Sequence, residues 1–290
     1  MSTQNRGTLA ALMAGLGLLA LAGCGPQQIT GKGEQALGGD PKGAVSQNVE
    51  KEKEKEKEKE KENENENENE NEKEIPLKTA KLIIEHNASV SDTGFQGFAD
   101  GEPWNRLEIE GPNGEVFLVQ PKGALKNVGL TELFFETNEP PNSEVPIPKM
   151  LANLPAGTYE FEATAIDGVV QKGTATLTHK IPAGPVITTP TANQTVSANQ
   201  DLTVSWNPVT TSLYGGPVNV SNYQLIVSKV GEPKHPGFGK STLSVHVLSS
   251  VTQVRIVKEF LTPNSEYDFE VLALESEGNQ TITVGKFFTQ

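Results

Sequence analysis

Cysteine is almost missing from this sequence, because its 290 residues include a single one, Cys24. One thiol excludes an internal disulfide and a Cys-rich metal site. Clustered Lys and Arg residues are also lacking, and the formal net charge is −13. Nucleic-acid binding needs such a basic patch to neutralise phosphates, so nucleic acid is excluded as a partner.

Periodic apolar stretches of helical length are few as well, whereas 28 glycines and 19 prolines are present. This composition is typical of short strands joined by turns, and it disfavours an all-helical or doubly wound fold. A chain of 290 residues can hold two domains of ordinary size together with further segments. We therefore expect an all-β protein with two consecutive domains.

The first residues have the pattern of an export signal. Arg6 precedes an apolar run over residues 9–21. That run is shorter than a membrane-spanning helix, which needs roughly 20 residues. The sequence Leu-Ala-Gly-Cys follows at residues 21–24, and it resembles the lipobox of bacterial lipoproteins.

The lipobox resemblance implies a lipid-anchored protein of the cell envelope. In that family the signal peptide, here residues 1–23, is removed, and the cysteine, here Cys24, receives acyl chains that hold the protein on the membrane. In that family an Asp directly after the lipidated cysteine changes the membrane to which the protein is sorted. Here the residue is Gly25, which implies the outer membrane or the cell surface if the source is Gram-negative. The alternative is an ordinary secretory signal that happens to contain a cysteine.

A charged, low-complexity segment follows. Residues 50–74 hold 13 Glu and 7 Lys and no apolar residue. Nothing in them can join a core, so residues 24–76 are predicted to be a disordered charged linker. A frayed helix over residues 51–62 is the alternative, because Lys and Glu alternate there. The linker is interpreted as a spacer above the membrane or as a repeat that is merely tolerated.

From residue 186 onward, apolar and polar residues alternate with a period of two. This pattern predicts seven short strands, at residues 186, 202–206, 223–227, 243–247, 254–256, 267–273 and 282–284. Seven strands in about a hundred residues are typical of a β-sandwich. The stretch from Leu261-Thr-Pro to Tyr267 and Phe269 resembles the sixth strand of fibronectin type III domains.

The resemblance implies a fibronectin type III domain over residues 183–290. In that family Tyr267 forms a tyrosine corner, in which the phenol bonds to backbone a few residues upstream. Tyr223 lies in mid-strand and has no such motif, so its hydroxyl is expected to contribute less to stability. No Arg-Gly-Asp triplet is present.

Residues 154–165, in the preceding part of the chain, resemble the sixth-strand sequence around Tyr267, but less closely. Tyr159 lies 108 residues before Tyr267, which is one domain length. We therefore predict a divergent immunoglobulin-like sandwich over residues 77–182. Its further elements are predicted as strands at 80–85, 106–110 and 116–120 and a helical turn or two at 147–154. The junction, residues 179–185, has two prolines and favours an end-to-end, semi-rigid arrangement.

Residues 92–104 combine carboxylates, glycines and aromatics, and they are predicted to form a loop longer than a sandwich needs. Three roles are open for this loop, and the first is a ligand site for Ca²⁺. Asp92, Asp100 and Glu102 offer the hard oxygen ligands that suit this ion. Their spacing is not that of a known calcium loop.

The aromatic residues of the same stretch give the other two roles. Phe98 and Trp104 are able to form a sugar-stacking surface if their rings are exposed. Alternatively, Phe95, Phe98 and Trp104 plug one end of the sandwich, and this is the role we favour because loop aromatics are commonly packing anchors.

Signatures of catalysis are lacking. The four histidines form no metal-binding pair, and the sequence has no nucleophile elbow, free Cys nucleophile or glycine-rich phosphate loop. We expect no cofactor, no bound metal and no enzyme activity. The expected role is presentation of two sandwiches for protein or glycan binding or for scaffolding. The alternatives are a glycan-active enzyme using Asp100 and Glu102, and a structural subunit whose edge strand pairs with a partner.

Overall fold

The computed structural model describes residues 74–232 and 240–290. The predicted signal peptide, the predicted lipidation site Cys24 and the charged linker up to residue 73 lie outside these residues. Residues 74–76 were predicted as the end of the disordered linker, but they form a strand that pairs with residues 170–172. The described chain is mostly β-strand, so the all-β prediction is confirmed. Both described α-helices have five residues, and a 3-10 helix spans Lys258–Phe260. No helix in this part of the chain is long enough to cross a membrane.

The first sandwich contains strands β1 to β7. They span, in order, Glu74–Pro76, Thr79–Asn87, Asp92–Gly111, Gly114–Val119, Leu130–Glu136, Gly157–Ala165 and Val170–Leu177. Helix α1 (Ala124–Val128) connects β4 to β5, and helix α2 (Ile147–Leu151) connects β5 to β6. The strands predicted at 80–85, 106–110 and 116–120 are confirmed, and α2 matches the predicted helical turn.

The long strand β3 belongs to both layers of the first sandwich. Its first half pairs with β2 and β5, and its second half pairs with β4 and β6. The register against β5 shifts between Asp100 and Trp104, and such an irregularity lets a strand pass from one layer to the other. Phe95 from the first half and Ile109 from the second are buried in the same core.

The second sandwich contains strands β8 to β15. They span Ile187–Thr189, Gln194–Val196, Leu202–Trp206, Val220–Lys229, Thr242–Leu248, Gln253–Ile256, Glu266–Glu275 and Gln280–Thr289. One layer has the order β13-β10-β8, and the other has the order β15-β14-β11-β12. The seven predicted strands are present, and β9 additionally pairs with the end of β15.

Tyrosine hydroxyls fix the backbone in both sandwiches. Tyr267 accepts a hydrogen bond from the Thr262 N–H at 2.8 Å and donates one to the Phe260 carbonyl at 3.2 Å. Tyr159 donates to the Pro155 carbonyl at 2.8 Å. Both corners that the sequence spacing predicted are therefore confirmed.

Tyr223 differs from its prediction. Its hydroxyl accepts a hydrogen bond from the Val209 N–H at 2.7 Å, although no corner motif surrounds it. The tyrosine is 1% exposed and packs edge-on against Trp206, with ring centroids 5.4 Å apart. This hydrogen bond was not predicted from the sequence, and it changes the contribution that we expect from the Tyr223 hydroxyl.

The two sandwiches are joined through their strand edges. Strands β2 and β15 pair in parallel, with Glu85 opposite Gln280, and this pairing makes one sheet of 12 strands. Asn279 is 1% exposed at this joint. Its Oδ1 accepts from the Ile84 N–H at 2.9 Å, and its Nδ2 donates to the Thr178 carbonyl at 2.9 Å. The sandwiches therefore meet through an overlap of three residues between the end of β2 and the start of β15, a contact that the junction sequence did not predict.

A buried layer lies on the sheet face that points away from both cores. Its apolar members are 8% or less exposed and belong to neither core: Phe98, Ile226, Leu272 and Ile282. The charge of Lys81, on β2, lowers the pKa of His246, on β12, after the larger effect of burial. Lys81 of the first sandwich therefore lies close enough to His246 of the second for its charge to act on the imidazole.

Candidate functional site

Residues 92–104 form the first part of β3, so the prediction of a loop is wrong. One edge of this segment pairs with β2 and the other pairs with β5. Its Gly and Asp residues suggested turns. In the structure, the ring of Phe135 occupies the space where a side chain at Gly97 would lie, so this glycine serves packing within the sheet.

The aromatic side chains of this segment are buried. Trp104 is 0% exposed and Phe98 is 8% exposed, so the predicted sugar-stacking surface is wrong. Trp104 and Phe95 belong to the core of the first sandwich, which confirms the packing role for these two residues. Phe98 is buried but belongs to neither core.

The three predicted calcium ligands do not come together. Asp92 and Asp100 lie at the two ends of the β2–β3 pairing, about 26 Å apart at the usual rise of a strand. Glu102 forms an ion pair with Lys78, with 3.0 Å between Nζ and Oε1. A Ca²⁺ site built from Asp92, Asp100 and Glu102 is therefore wrong.

The positions of Asp100 and Glu102 also argue against the glycan-active alternative. Asp100 and Glu102 are two positions apart on one strand, and Glu102 is neutralised by Lys78. Glycoside hydrolysis needs two carboxyl groups on opposite sides of the bond that is cleaved. The geometry of these two residues does not provide that arrangement.

Three other carboxylates come together near the joint. Glu85 lies on β2, Glu136 is the last residue of β5, and Glu139 follows three residues later. One oxygen of each lies within 4.8 Å of the others. Glu85 and Glu136 stand opposite Gly94 and Gln96 of β3. These two positions are two residues apart, so they share one face of the sheet.

Burial and mutual repulsion raise the pKa values in this cluster. The pKa of Glu85 is raised to about 8, first by burial and then by the charge of Glu139. The pKa of Glu139 is raised to about 7 by burial, and then by the charges of Glu136 and Asp92. No described Lys, Arg or His forms an ion pair with the three glutamates. The cluster therefore favours a bound positive charge or protons.

Hydrogen bonds connect the cluster to the second sandwich. The Gln280 Nε2, on β15, donates to Glu85 Oε2, and it lies 3.4 Å from Gln96 Oε1. The Gln96 Nε2 donates in turn to Glu136 Oε1 at 3.2 Å. The cluster is thus part of the contact between the two sandwiches.

Several buried oxygens beside the cluster have no hydrogen-bond partner within the described residues. They are Glu139 Oε1, Asp92 Oδ1 and Asn142 Oδ1. Asp92 forms a β-bridge with Pro141, and the Asn142 N–H donates to the Ser91 carbonyl at 2.7 Å, so these residues lie next to the turn that carries Glu139. A buried polar atom without a partner costs about 1–3 kcal/mol.

Carboxylate oxygens suit hard cations such as Ca²⁺ and Mg²⁺. Glu85, Glu136 and Glu139 are therefore the residues that could hold a metal ion. These glutamates were not predicted from the sequence, because β5 was not predicted and each glutamate lies on a different segment. The only local signal was the Glu-x-x-Glu spacing of residues 136–139 before two prolines.

A separate apolar cavity of about 460 Å³ opens between β4, β5 and α2. Phe117 and Phe135 stack at its side, with ring centroids 4.6 Å apart. Strands β4 and β5 each pair with β3 alone among the described strands. Leu118 on β4 and Phe134 on β5 are exposed on these edges.

The second sandwich has three strands facing four and a tyrosine corner at Tyr267. The fold is fibronectin type III-like. No protein-family model matches the chain, and no curated protein sequence matches it.

Solved structures give three similarities. A two-domain fibronectin type III segment of chicken tenascin is 15% identical, with 73% of this chain and 99% of that chain covered and a TM-score of 0.27. The FN1–FN3 domains of chicken CNTN1 are 12% identical, covering 75% and 65%, with a TM-score of 0.30. E. coli alpha-2-macroglobulin is 16% identical, covering 76% and 15%, with a TM-score of 0.27. TM-scores of this size carry no information on function.

Proposed function

We propose that this protein is a lipid-anchored protein of the cell envelope that presents two β-sandwiches for binding a protein or glycan, or for scaffolding, without catalysis. Acyl chains on Cys24 hold it on the membrane in this proposal, at the outer membrane or cell surface if the source is Gram-negative. The residues after the anchor, up to the first strand, serve as the spacer.

The observation that carries the proposal is the joint between the sandwiches. The β2–β15 pairing and the hydrogen bonds of Asn279 hold the two modules in one fixed arrangement. A fixed arrangement suits a protein that displays surfaces at a defined spacing. Fibronectin type III-like domains commonly serve as binding or scaffolding modules, and function is located in sites on such folds.

Membrane fractionation of a Cys24→Ser variant tests the anchor. The natural chain is expected in the membrane fraction after a high-salt wash and in solution after detergent extraction. The variant is expected to leave the membrane fraction, because it has no thiol to acylate. Ser46→Ala, which leaves the lipobox intact, serves as the control. A Cys24→Ser protein that stays on salt-washed membranes would contradict lipid anchoring.

A binding assay with the full-length chain in detergent tests the display function. We expect a polysaccharide column or an immobilised envelope extract to retain the protein, and we expect the retained ligand to be recovered unchanged. Cleavage of the ligand would instead support the glycan-active enzyme.

A structural subunit of a surface assembly is a second candidate. It is favoured by the edges of β4 and β5, which pair with β3 alone among the described strands, and by the exposed Phe134. Exposed edges of this kind are able to pair with a strand of another copy. Light scattering in detergent separates the candidates, because a binding module is expected as a monomer and a subunit as an ordered oligomer.

A further inference from the structure

We propose that Glu85, Glu136 and Glu139 bind one divalent cation, with Ca²⁺ as the expected ion, where the two sandwiches meet. This inference is independent of the anchor and of the ligand of the protein. Its first basis is geometry. Ca²⁺ binds oxygens at about 2.3–2.6 Å, so two ligands on opposite sides of the ion lie about 4.6–5.2 Å apart. The three carboxylate oxygens lie within 4.8 Å of one another, which fits that span.

The second basis is that buried oxygens at this position lack partners. Glu85 is 6% exposed, and its Oε2 accepts a hydrogen bond from Gln280, whereas its other oxygen has no hydrogen-bond partner within the described residues. Glu139 Oε1 and Asp92 Oδ1 are buried without partners. Together, these atoms form an oxygen-rich site that lacks a positive charge among the described side chains.

Gly94 supports the arrangement through its small size. A Cβ at this position would lie 2.7 Å from Glu139 Cγ and 3.1 Å from Glu139 Oε1. A heavier residue would push Glu139 away from the face of β3 on which Glu85 and Glu136 project. The glycine thus allows a residue beyond β5 to reach a carboxylate on β2.

Ca²⁺-dependent stability of the full-length chain in detergent tests the site. The protein is first stripped with a chelator, and its melting temperature is followed at pH 7.5 as CaCl₂ is added. Because the ion binds the native state, we expect a rise of about 5–10 °C when free Ca²⁺ exceeds its dissociation constant about 100-fold. Mg²⁺ is expected to give a smaller rise, because it prefers shorter distances and keeps its waters.

The double variant Glu136→Gln, Glu139→Gln is expected to lose this rise. In chelator it is expected to melt no lower than the natural chain, because repulsion between the carboxylates is removed. Glu132→Gln is the matched control, since it is an exposed glutamate on the same strand β5. That control is expected to keep the full rise with Ca²⁺.

Titration calorimetry separates this site from ions bound along the acidic residues 50–74, because those residues are identical in all variants. We expect the double variant to lose at least about 10-fold in Ca²⁺ affinity at one site. Equal Ca²⁺ binding by both proteins would overturn the proposal. It would also be overturned if acid, but not Ca²⁺, raised the melting temperature. If circular dichroism shows that the double variant does not fold, the single variant Glu139→Gln replaces it, because Glu139 is only half-buried. We expect the same loss of at least about 10-fold in Ca²⁺ affinity from this variant.

Discussion

At the scale of single residues, tyrosine hydroxyls connect strands to loops that sheet hydrogen bonds do not reach. Tyr267 and Tyr223 are each 1% exposed, and each hydroxyl accepts a hydrogen bond from one backbone N–H group. A phenylalanine at either position would keep the ring but leave that N–H group without its partner. The cost of such a loss is the cost of an unsatisfied buried donor.

We therefore predict that Tyr223→Phe and Tyr267→Phe each destabilise the protein by about 1–3 kcal/mol. Urea denaturation of the full-length chain measures both values. Tyr214→Phe is the matched control, because Tyr214 is 61% exposed, and it is expected to change stability by less than about 0.5 kcal/mol. A loss confined to Tyr267→Phe would show that the Val209 N–H finds another partner.

The sequence predicted the hydrogen bonds of Tyr267 and Tyr159 but not that of Tyr223. Tyr267 and Tyr159 were identified because a tyrosine corner is a local motif, with the bonded backbone a few residues upstream. The partner of Tyr223 is Val209, 14 residues away in the preceding connection. Its position depends on how that connection folds over Trp206, and the spacing of apolar residues contains no information about this.

At the scale of secondary-structure elements, glycine and aromatic residues pair across strands. Gly97 on β3 lies opposite Phe135 on β5, and Gly285 on β15 lies opposite Phe269 on β14. In both cases the ring covers the glycine and occupies the space that a Cβ would need. The same packing device thus recurs in the two sandwiches.

We predict that Gly97→Ala destabilises the protein by about 1–3 kcal/mol, because the added methyl group forces the Phe135 ring out of position. Thermal unfolding monitored by circular dichroism gives this value. Gly216→Ala is the matched control, since the nearest atom to its Cβ would be the Ser212 Oγ at 3.8 Å. If both variants unfold at the temperature of the natural chain, Phe135 does not pack tightly on β3.

This pairing also explains which elements the sequence could predict. Strands β10 to β15 alternate apolar and polar residues, so each could be identified from its own sequence. The first half of β3 has three glycines and was taken for a loop, although neighbouring side chains fill the space above Gly97 and Gly101. The glutamate cluster could not be predicted, because it forms only when β2 and β5 are placed on either side of β3.

At the scale of the whole molecule, Asn279 holds the two sandwiches together. It bonds to Ile84 on β2 and to Thr178 and Lys180 after β7, at distances of 2.8–3.3 Å. An alanine at this position would remove the partner of the Ile84 N–H and of two carbonyl oxygens in a buried joint. The loss of these bonds weakens the coupling between the two sandwiches.

We predict that Asn279→Ala changes the unfolding of the protein from one calorimetric transition to two, with the less stable sandwich unfolding first. The lower transition is expected to lose roughly 1–3 kcal/mol relative to the natural chain. Asn199→Ala is the control, because this exposed asparagine lies away from the joint, and it is expected to keep a single transition. One unshifted transition in Asn279→Ala would show that the strand pairing alone couples the sandwiches.

The pairing of β2 with β15 also has a consequence for how the chain is made. The bond between Ile84 and Asn279 joins residues 195 positions apart, and ribosomes add about 5–20 residues per second. Roughly 10–40 s therefore pass between the synthesis of the two partners. During that interval the edge of β2 that later pairs with β15 has no partner. An unpaired strand edge is a site of aggregation, so the nascent first sandwich needs protection until the last strand emerges.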